Sequence, residues 1–277
     1  MTPQIPIGTL VRACHPEPTI AVTAIATALA VSTGLGARSL LVGAAFLAGQ
    51  LSVGWSNDWI DAARDQRNAR PDKPVARGDL PVGTVRRAAL VAVTLCVPLS
   101  LALGAAAGLL HLAAVAAAWA YNARLKATAW SWVPYALAFG AVPSIVTLTL
   151  DDRPLAPWWA TVAGALLGVG AHLCNVLPDL DEDLANGIRG LPHRLGARRS
   201  AALAAVLLLA AALVLALGPG SPGLLPLLVV LVAAVVTSTG LVLSRRPGSR
   251  AAFRAAIGVA AASVALLVAR GAVLVPA

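Results

Sequence analysis

The chain reads as an all-α polytopic membrane bundle of about nine transmembrane helices. Three observations predict this. Apolar residues make up 58% of the 277 and charged residues only 12%, where soluble domains are roughly a quarter charged. The apolar residues gather into runs about as long as the ~20 residues needed to cross a hydrocarbon core. The basic residues lie between those runs and favour one side. Mean hydropathy is +0.81, and no single soluble core could hide so much apolar surface.

Taken in order, the runs fall near 18–34, 38–57, 84–107, 108–122, 130–150, 156–178, 199–218, 222–243 and 251–274. Residues 1–18 lack the basic start, apolar stretch and cleavage site of a secretory signal, so the first run is expected to stay as a helix. The second and sixth runs each close in an acid-rich stretch. The boundary between the third and fourth rests on Gly104, Gly108 and His111, which makes the fourth run short. Residues 1–277 are read as one transmembrane domain, with catalytic loops near 57–84, 121–130 and 175–199.

The net charge of +9 would ordinarily suggest nucleic acid. Here the cations flank apolar runs, so the partner is a lipid bilayer and no nucleic acid is expected. With nine spans, Arg38, Arg153 and Arg270 face one side, and the other 18 of the 21 Lys and Arg residues, including Arg245, Arg246 and Arg250, face the other. The positive-inside rule places that richer side in the cytoplasm and the C-terminus outside, as expected for a multi-pass protein of the cell membrane. The Trp residues sit near run ends, the usual interfacial belt. Cys14, Cys96 and Cys174 have neither metal nor disulfide spacing and are read as packing residues.

The acids are sorted too. Of the 12 Asp and Glu residues, nine lie within 58–79 and 179–183, both on the basic side. In a helix turning about 100° per residue, Asn57, Asp61, Asp65 and Asp58 project at roughly 0°, 40°, 80° and 100°, all on one face. By the same arithmetic Asn175, Asp179 and Asp183 share a face at roughly 0°, 40° and 80°, while Asp181 turns to the other side. Asn-x₃-Asp-x₃-Asp thus occurs twice, each time at the end of an even-numbered run. Like charges stacked this way repel, more so at the end of a buried segment. One such cluster could be a wetted helix end paired with arginines. Two matching clusters at membrane depth point instead to hard divalent cations, which take carboxylate and amide oxygens together with substrate phosphates. Two facing arms of this kind can clamp a diphosphate.

Cations follow each arm. Arg64, Arg67, Asn68, Arg70, Pro71, Lys73 and Pro74 come after the first, and Arg189, His193 and Arg194 after the second. Tyr121, Asn122, Arg124 and Lys126 stand between them. Such groups bind phosphate oxygens and a departing diphosphate. Lys126, Lys73 and Arg67 are read as functional, and Arg77, Arg86 and Arg87 as topological. His172 and His111, within apolar runs, are read as packing residues before catalytic ones.

These motifs together resemble the UbiA superfamily of intramembrane prenyltransferases. Residues 57–65, NDWIDAARD, match its NDxxDxxxD motif at every fixed position. RNARPDKPVARG looks like its basic tail, YNARLK like its Tyr and Lys motif, and NVLPDLDEDLANGIRGLPHRLG like its second DxxxD motif. Many members carry an acid where this chain has Asn175, and the Asn form looks closer to the naphthoate- and quinone-type branches. The resemblance implies a helical bundle around a cavity open sideways to lipid. It implies Mg²⁺, or Mn²⁺, held by Asn57, Asp58, Asp61 and Asp65 on one arm and by Asp179, Asp183 and Asn175 on the other. It further implies transfer of an isoprenyl group from a polyprenyl diphosphate donor to a lipophilic, mostly aromatic acceptor. Lys126, Tyr121, Lys73, Arg67 and Arg189 would meet the diphosphate, and Arg12 would meet the acceptor or the diphosphate. An acceptor-free cyclase on the same fold would use identical residues. A transporter with an ion site is disfavoured, because its charges belong at mid-membrane and these acids lie at one face. A CDP-alcohol phosphotransferase is disfavoured because its DGxxAR opening is missing.

Overall fold

The computed structural model describes residues 7–68, 70, 73–220, 223–243 and 251–274. Among them the secondary structure is helical throughout: α1 (Ile7–Arg12), α2 (Pro16–Ser32), α3 (Arg38–Arg67), α4 (Val82–Leu101), α5 (Ala105–Ala123), α6 (Val133–Thr147), α7 (Trp158–Val176), α8 (Leu180–Ala185), α9 (Leu191–Leu195), α10 (Ala197–Leu217), α11 (Leu224–Leu243) and α12 (Ala251–Ala269). Short 3₁₀ turns occupy Leu125–Ala127, Leu177–Asp179 and Gly271–Leu274. Arg245, Arg246, Arg250 and Pro71 lie outside the described residues.

Five helical stretches are long and apolar enough to cross a membrane: α3, α4, α5, α10 and the run from Trp158 to Ala185 that begins with α7. Shorter apolar helices stand beside them at Pro16–Ser32, Val133–Thr147, Leu224–Gly240 and Ile257–Ala269. The expected division between the third and fourth runs moves. Gly104, at φ 111°, takes a backbone conformation that side chains avoid, and it caps α5. The fourth run is therefore a full helix of 19 residues.

The helices close into a ring. α2 packs on α3, α3 on α5, α5 on α6, α6 on α7, α7 on α10 and α12, and α12 back on α2, with α4 against α3 and α5 and α11 against α10 and α12. Without a hydrophobic drive between helices in lipid, close approach depends on small residues. The α6–α7 contact shows this: a Cβ on Gly164 would stand 2.5 Å from the Phe139 carbonyl oxygen, and one on Gly168 2.4 Å from that of Tyr135. The largest core cluster, containing Leu29, Phe46, Ile145, Trp159 and Leu215, fills the ring away from the acid-rich end.

Helix α3 spans 30 residues, about 45 Å at 1.5 Å per residue, and so outruns a hydrocarbon core of about 30 Å. Its last turns, which carry the acids, stand at the bundle's end. The second arm departs from the expected continuous helix. Pro178 has no N–H to donate and its ring obstructs the preceding turn. α7 therefore stops at Val176, a 3₁₀ turn covers Leu177–Asp179, and α8 restarts at Leu180.

Candidate active site

A cavity of about 520 Å³ opens at the acid-rich end. From α3 it is lined by Asn57, Asp61 and Asp65, and across it stand Asn175, Asp179 and Asp183. Tyr121, Lys73 and Lys126 also line it, and Val22, Tyr135, Ala138 and Phe139 form an apolar part of its wall. The break at Pro178 changes the projection of the second arm without removing any of its three residues from the cavity. Asp181 is exposed and is not among the lining residues.

The carboxylates are met by cations. Asp61, buried on α3, accepts from Lys126 Nζ on one oxygen and from Arg64 Nη2, at 2.7 Å, on the other. Asp65 lies 3.5 Å from Arg64 Nε. Arg70 reaches from the loop after α3 to the second arm, 2.8 Å from Glu182 Oε1 and 3.9 Å from Asp179 Oδ2. His193 Nε2 is 3.2 Å from Asp183 Oδ2. Burial pushes the Lys126 ammonium below its ordinary pKa, and the charge of Asp61 opposes that shift.

Two structural devices set these groups. Asn122 is buried at the end of α5 and donates from Nδ2 to the Val53 carbonyl at 2.9 Å and to Ser56 Oγ at 2.8 Å. Its Oδ1 must then be the atom that receives Asn57 Nδ2, 3.2 Å away. Asn57 is left with its amide oxygen as the remaining side-chain donor atom, the kind a hard cation accepts. Lys126 rides on the 3₁₀ turn Leu125–Ala127, whose backbone is wedged against Gly190: a Cβ there would stand 2.5 Å from the Lys126 carbonyl oxygen. Ser131 Oγ accepts the Leu191 N–H at 2.9 Å and pairs with His172 Nε2, also at 2.9 Å. His172 is buried, packs on Tyr135 with centroids 4.7 Å apart, and meets the edge of Tyr121. Through these contacts it packs against Tyr121 and Tyr135, which line the cavity. His111 packs between Phe46 and Ser100, which are not lining residues.

Not every residue expected at the site reaches it. Asp58 is 2% exposed, lies off the cavity, and has its Oδ1 bound by Lys73 Nζ at 2.6 Å. In projection it lies only about 20° from Asp65, but it sits nearly two turns earlier on α3, where Lys73 and His15 take its Oδ1. Arg67 is exposed, because two residues past Asp65 the helix has turned through about 200°. Arg12, at the end of α1, and Arg189, between α8 and α9, are exposed and are not lining residues. Arg64 and Arg70, expected among the cations that bind phosphate, pair with carboxylates of the two arms, and His15, which carries no sequence signal beyond its position before Pro16, lines the cavity.

The oxygen donors fit a divalent cation of the Mg²⁺ type. Among the described residues no three His, Cys, Asp or Glu side chains gather into a closed cage. The donors are spread over two walls of one cavity. Mg²⁺ suits such a site, because it takes one or two carboxylates and completes its shell with phosphate oxygens and water.

The model of the UbiA prenyltransferase family matches residues 18–260. The chain is 34% identical over 173 residues to the bacteriochlorophyll synthase 33 kDa chain of Cereibacter sphaeroides, covering 57% of this chain and 55% of that one. It is 30% identical over 151 residues to digeranylgeranylglyceryl phosphate synthase of Pyrococcus abyssi, covering 54% of each. The chain therefore spans about half the length of the curated relatives it matches. Among solved structures, a UbiA homologue from Aeropyrum pernix superposes with a TM-score of 0.71 at 18% identity, covering 89% of this chain and 97% of that one. A UbiA homologue from Archaeoglobus fulgidus bound to GPP and Mg²⁺ superposes with a TM-score of 0.68 at 17% identity, covering 94% and 99%. These likenesses show the fold, and the family model spans both acid arms and the Tyr121–Lys126 turn between them: the chain belongs to the UbiA prenyltransferase family.

Proposed function

We propose that this chain transfers a prenyl group from a prenyl diphosphate to an aromatic or otherwise lipophilic acceptor, within the cell membrane and from a site facing the cytoplasm. One observation carries the reading. A single cavity joins two Asn-x₃-Asp-x₃-Asp arms and two lysines at its polar part to an aromatic and aliphatic wall. The comparisons support it by family, and one similar protein is named a 4-hydroxybenzoate octaprenyltransferase. The whole of residues 1–277 is read as one catalytic unit, and its orientation rests on the distribution of Lys and Arg.

Mg²⁺, or Mn²⁺, would be held by Asn57, Asp61 and Asp65 on one wall and by Asn175, Asp179 and Asp183 on the other, and it supplies neutralisation of the charge that develops on the diphosphate. Lys126 and Lys73 present ammonium donors to the phosphate oxygens, and Tyr121 adds a hydroxyl. Val22, Ala138 and Phe139 line the apolar part of the cavity, where the prenyl tail is held out of water. The allylic C–O bond breaks and its electron pair leaves with the diphosphate. The π-faces of Tyr135 and Phe139 shelter the cation left behind. An acceptor carbon or oxygen then supplies the electrons of the new bond, and its proton passes to solvent at the open end of the cavity.

The test is incubation of purified protein in lipid or detergent with Mg²⁺, prenyl diphosphates of graded length and a panel of aromatic and glyceryl acceptors, with products identified by mass spectrometry. A prenylated acceptor and released diphosphate are expected. A cyclic hydrocarbon formed equally well without acceptor would replace transfer by cyclisation, and no consumption of any prenyl diphosphate would remove the reading.

A further inference from the structure

Asp58 is the one acid of the NDWIDAARD stretch that the cavity does not use. Its Oδ2 is buried with no hydrogen-bond partner, and its Oδ1 is engaged by two side chains. Neither oxygen is open to a ligand. Lys73 Nζ lies 2.6 Å from Oδ1 and 2.8 Å from His15 Nε2, and His15 Nε2 lies 2.9 Å from the same Oδ1. The tautomer that keeps these hydrogens from clashing follows from the Lys73–Nε2 distance. Were Nε2 protonated, its hydrogen and those of the ammonium would face one another. The ammonium therefore donates to both Oδ1 and Nε2, and the imidazole keeps its hydrogen on Nδ1. Lys73 and His15 both line the cavity.

The chain sustains backbone strain to bring His15 there. His15 takes the left-handed conformation, φ 55° and ψ 70°, which side chains with a Cβ avoid. The strain persists because its surroundings impose it. The preceding residue is pinned to α3: a Cβ on Gly54 would stand 2.0 Å from the Cys14 carbonyl oxygen, and Trp55 Nε1 donates to the Leu10 carbonyl at 2.9 Å. Thr19 Oγ1 holds the same Cys14 carbonyl at 2.9 Å. α3 thus grips the N-terminal turn at Gly54, Trp55 and Asp58, and the result is an imidazole on the wall beside Lys73.

We infer that Asp58 is a positioning residue and no metal ligand, and that it fixes Lys73 and His15 side by side so that both donate to the diphosphate of the substrate. His15 is then a substrate-contacting residue of this chain. This rests on the prenyl diphosphate reading and deepens it, because it names a further donor among the lining residues and takes one acid out of the metal set.

The test uses full-length protein in detergent micelles and inorganic pyrophosphate with Mg²⁺ as probe, followed by titration calorimetry. His15→Gly removes the ring while suiting the left-handed turn, and His15→Asn keeps a donor in a residue that tolerates that turn. His15→Gly should weaken pyrophosphate binding about tenfold, as for the loss of one hydrogen bond to a charged group, with His15→Asn losing less. Asp58→Asn should weaken it similarly, and the double variant should lose little more, because the residues act as a unit. At fixed pyrophosphate, the Mg²⁺ concentration for half-saturation should be unchanged in Asp58→Asn and raised in Asp61→Asn. Thermal unfolding checks each variant, and the His15 pair decides alone if Asp58→Asn does not fold. Unchanged binding in His15→Gly, or a raised Mg²⁺ requirement in Asp58→Asn matching that of Asp61→Asn, overturns the inference while leaving the prenyl diphosphate reading in place. Wild-type protein that binds no pyrophosphate overturns both.

Discussion

Lys126 is placed where its removal separates a stabilising role from a functional one. Its ammonium sits on Asp61, and the side chains are 13% and 7% exposed. Breaking a buried ion pair by deleting one partner costs about 3–5 kcal/mol when the surviving charge is left alone. Asp61 would not be left alone, because Arg64 Nη2 stays 2.7 Å from its other oxygen. Lys126→Ala should therefore lower stability by only about 1–2 kcal/mol, near the scale of one hydrogen bond. Turnover should fall further. A charge-assisted contact to the diphosphate is worth about 1.5–3 kcal/mol, which is about 10- to 150-fold in kcat/KM. Lys126→Arg should recover part of this, since charge is kept but the planar fork does not reproduce a compact ammonium. The assay is prenyl transfer at varied donor concentration, paired with thermal unfolding of each variant. A folded Lys126→Ala protein whose kcat/KM stays within about threefold of wild type would refute the placement of Lys126 at the reacting diphosphate.

Four further outcomes follow from the geometry. Asp179→Ala and Asp183→Ala should each lower kcat by about a hundredfold or more, as expected when a group stabilising developing charge is lost, whereas Asp181→Ala, exposed and off the cavity, should be mild; equal damage at Asp181 and Asp179 in the same transfer assay would undo the assignment of the second arm. Gly190→Ala should cost about 1–3 kcal/mol by overpacking and depress kcat/KM in the manner of Lys126→Ala, because its Cβ meets the Lys126 carbonyl; Gly83→Ala, with nothing within 4 Å, should be neutral by thermal unfolding and by rate. A C-terminal reporter that works only after export should be active and one that works only in the cytoplasm dark; the reverse would reverse or break the nine-span topology. EDTA should abolish both transfer and pyrophosphate binding, and turnover undiminished in EDTA would remove the divalent cation from the reading.

Much of the architecture is legible in the sequence because it follows from local rules. Apolar runs of spanning length mark the helices, and Gly104 marks the boundary between α4 and α5 through a backbone rule alone. The shared face of Asn57, Asp61 and Asp65 follows from helical period, and the cavity receives all three. The same arithmetic overreaches at two places. It carries a helix through Pro178, and it treats Asp58 as equivalent to Asp65, about 20° away in projection, although Asp58 sits nearly two turns earlier, where Lys73 and His15 take its Oδ1. The remaining parts are tertiary. Arg70, in the loop after α3, meets Glu182 on α8, Asn122 orients Asn57 from another helix, and His15 gains its place through a strained turn held by Gly54. No pattern within a single segment encodes such pairings, because each depends on how two helices settle against one another.

The charges of the site explain why the dependence on a divalent cation should already be visible in binding. Among the described residues that line the cavity, the carboxylates are Asp61, Asp65, Asp179 and Asp183 and the fixed cations are Arg64, Arg70, Lys73 and Lys126. The two sets balance along the lining, and the carboxylates of Asp58 and Glu182, with which Lys73 and Arg70 also pair, tip the sum toward negative. This balance lets the bundle carry so many acids at the edge of a membrane, since a partly buried charge is tolerated only when it is paired. It also means that the cavity as a whole offers little net attraction to an anion. Lys126 already serves Asp61, Arg70 already serves Glu182, and Lys73 already serves Asp58. A diphosphate entering alone would have to draw these cations from their carboxylates, and each carboxylate so abandoned would carry an unpaired charge in a poorly solvated place. A diphosphate arriving with divalent cations adds a far smaller net charge, and the oxygens of Asn57, Asp61, Asp65, Asp179 and Asp183 then have positive partners of their own. Pyrophosphate affinity should consequently rise steeply with Mg²⁺, and in Lys126→Ala, where Asp61 has lost one of its two cations, it should depend on Mg²⁺ more steeply still. Calorimetric titration of wild type and variant across a Mg²⁺ series tests this, and binding of pyrophosphate that is indifferent to Mg²⁺ would show that the balance of charges does not govern the site.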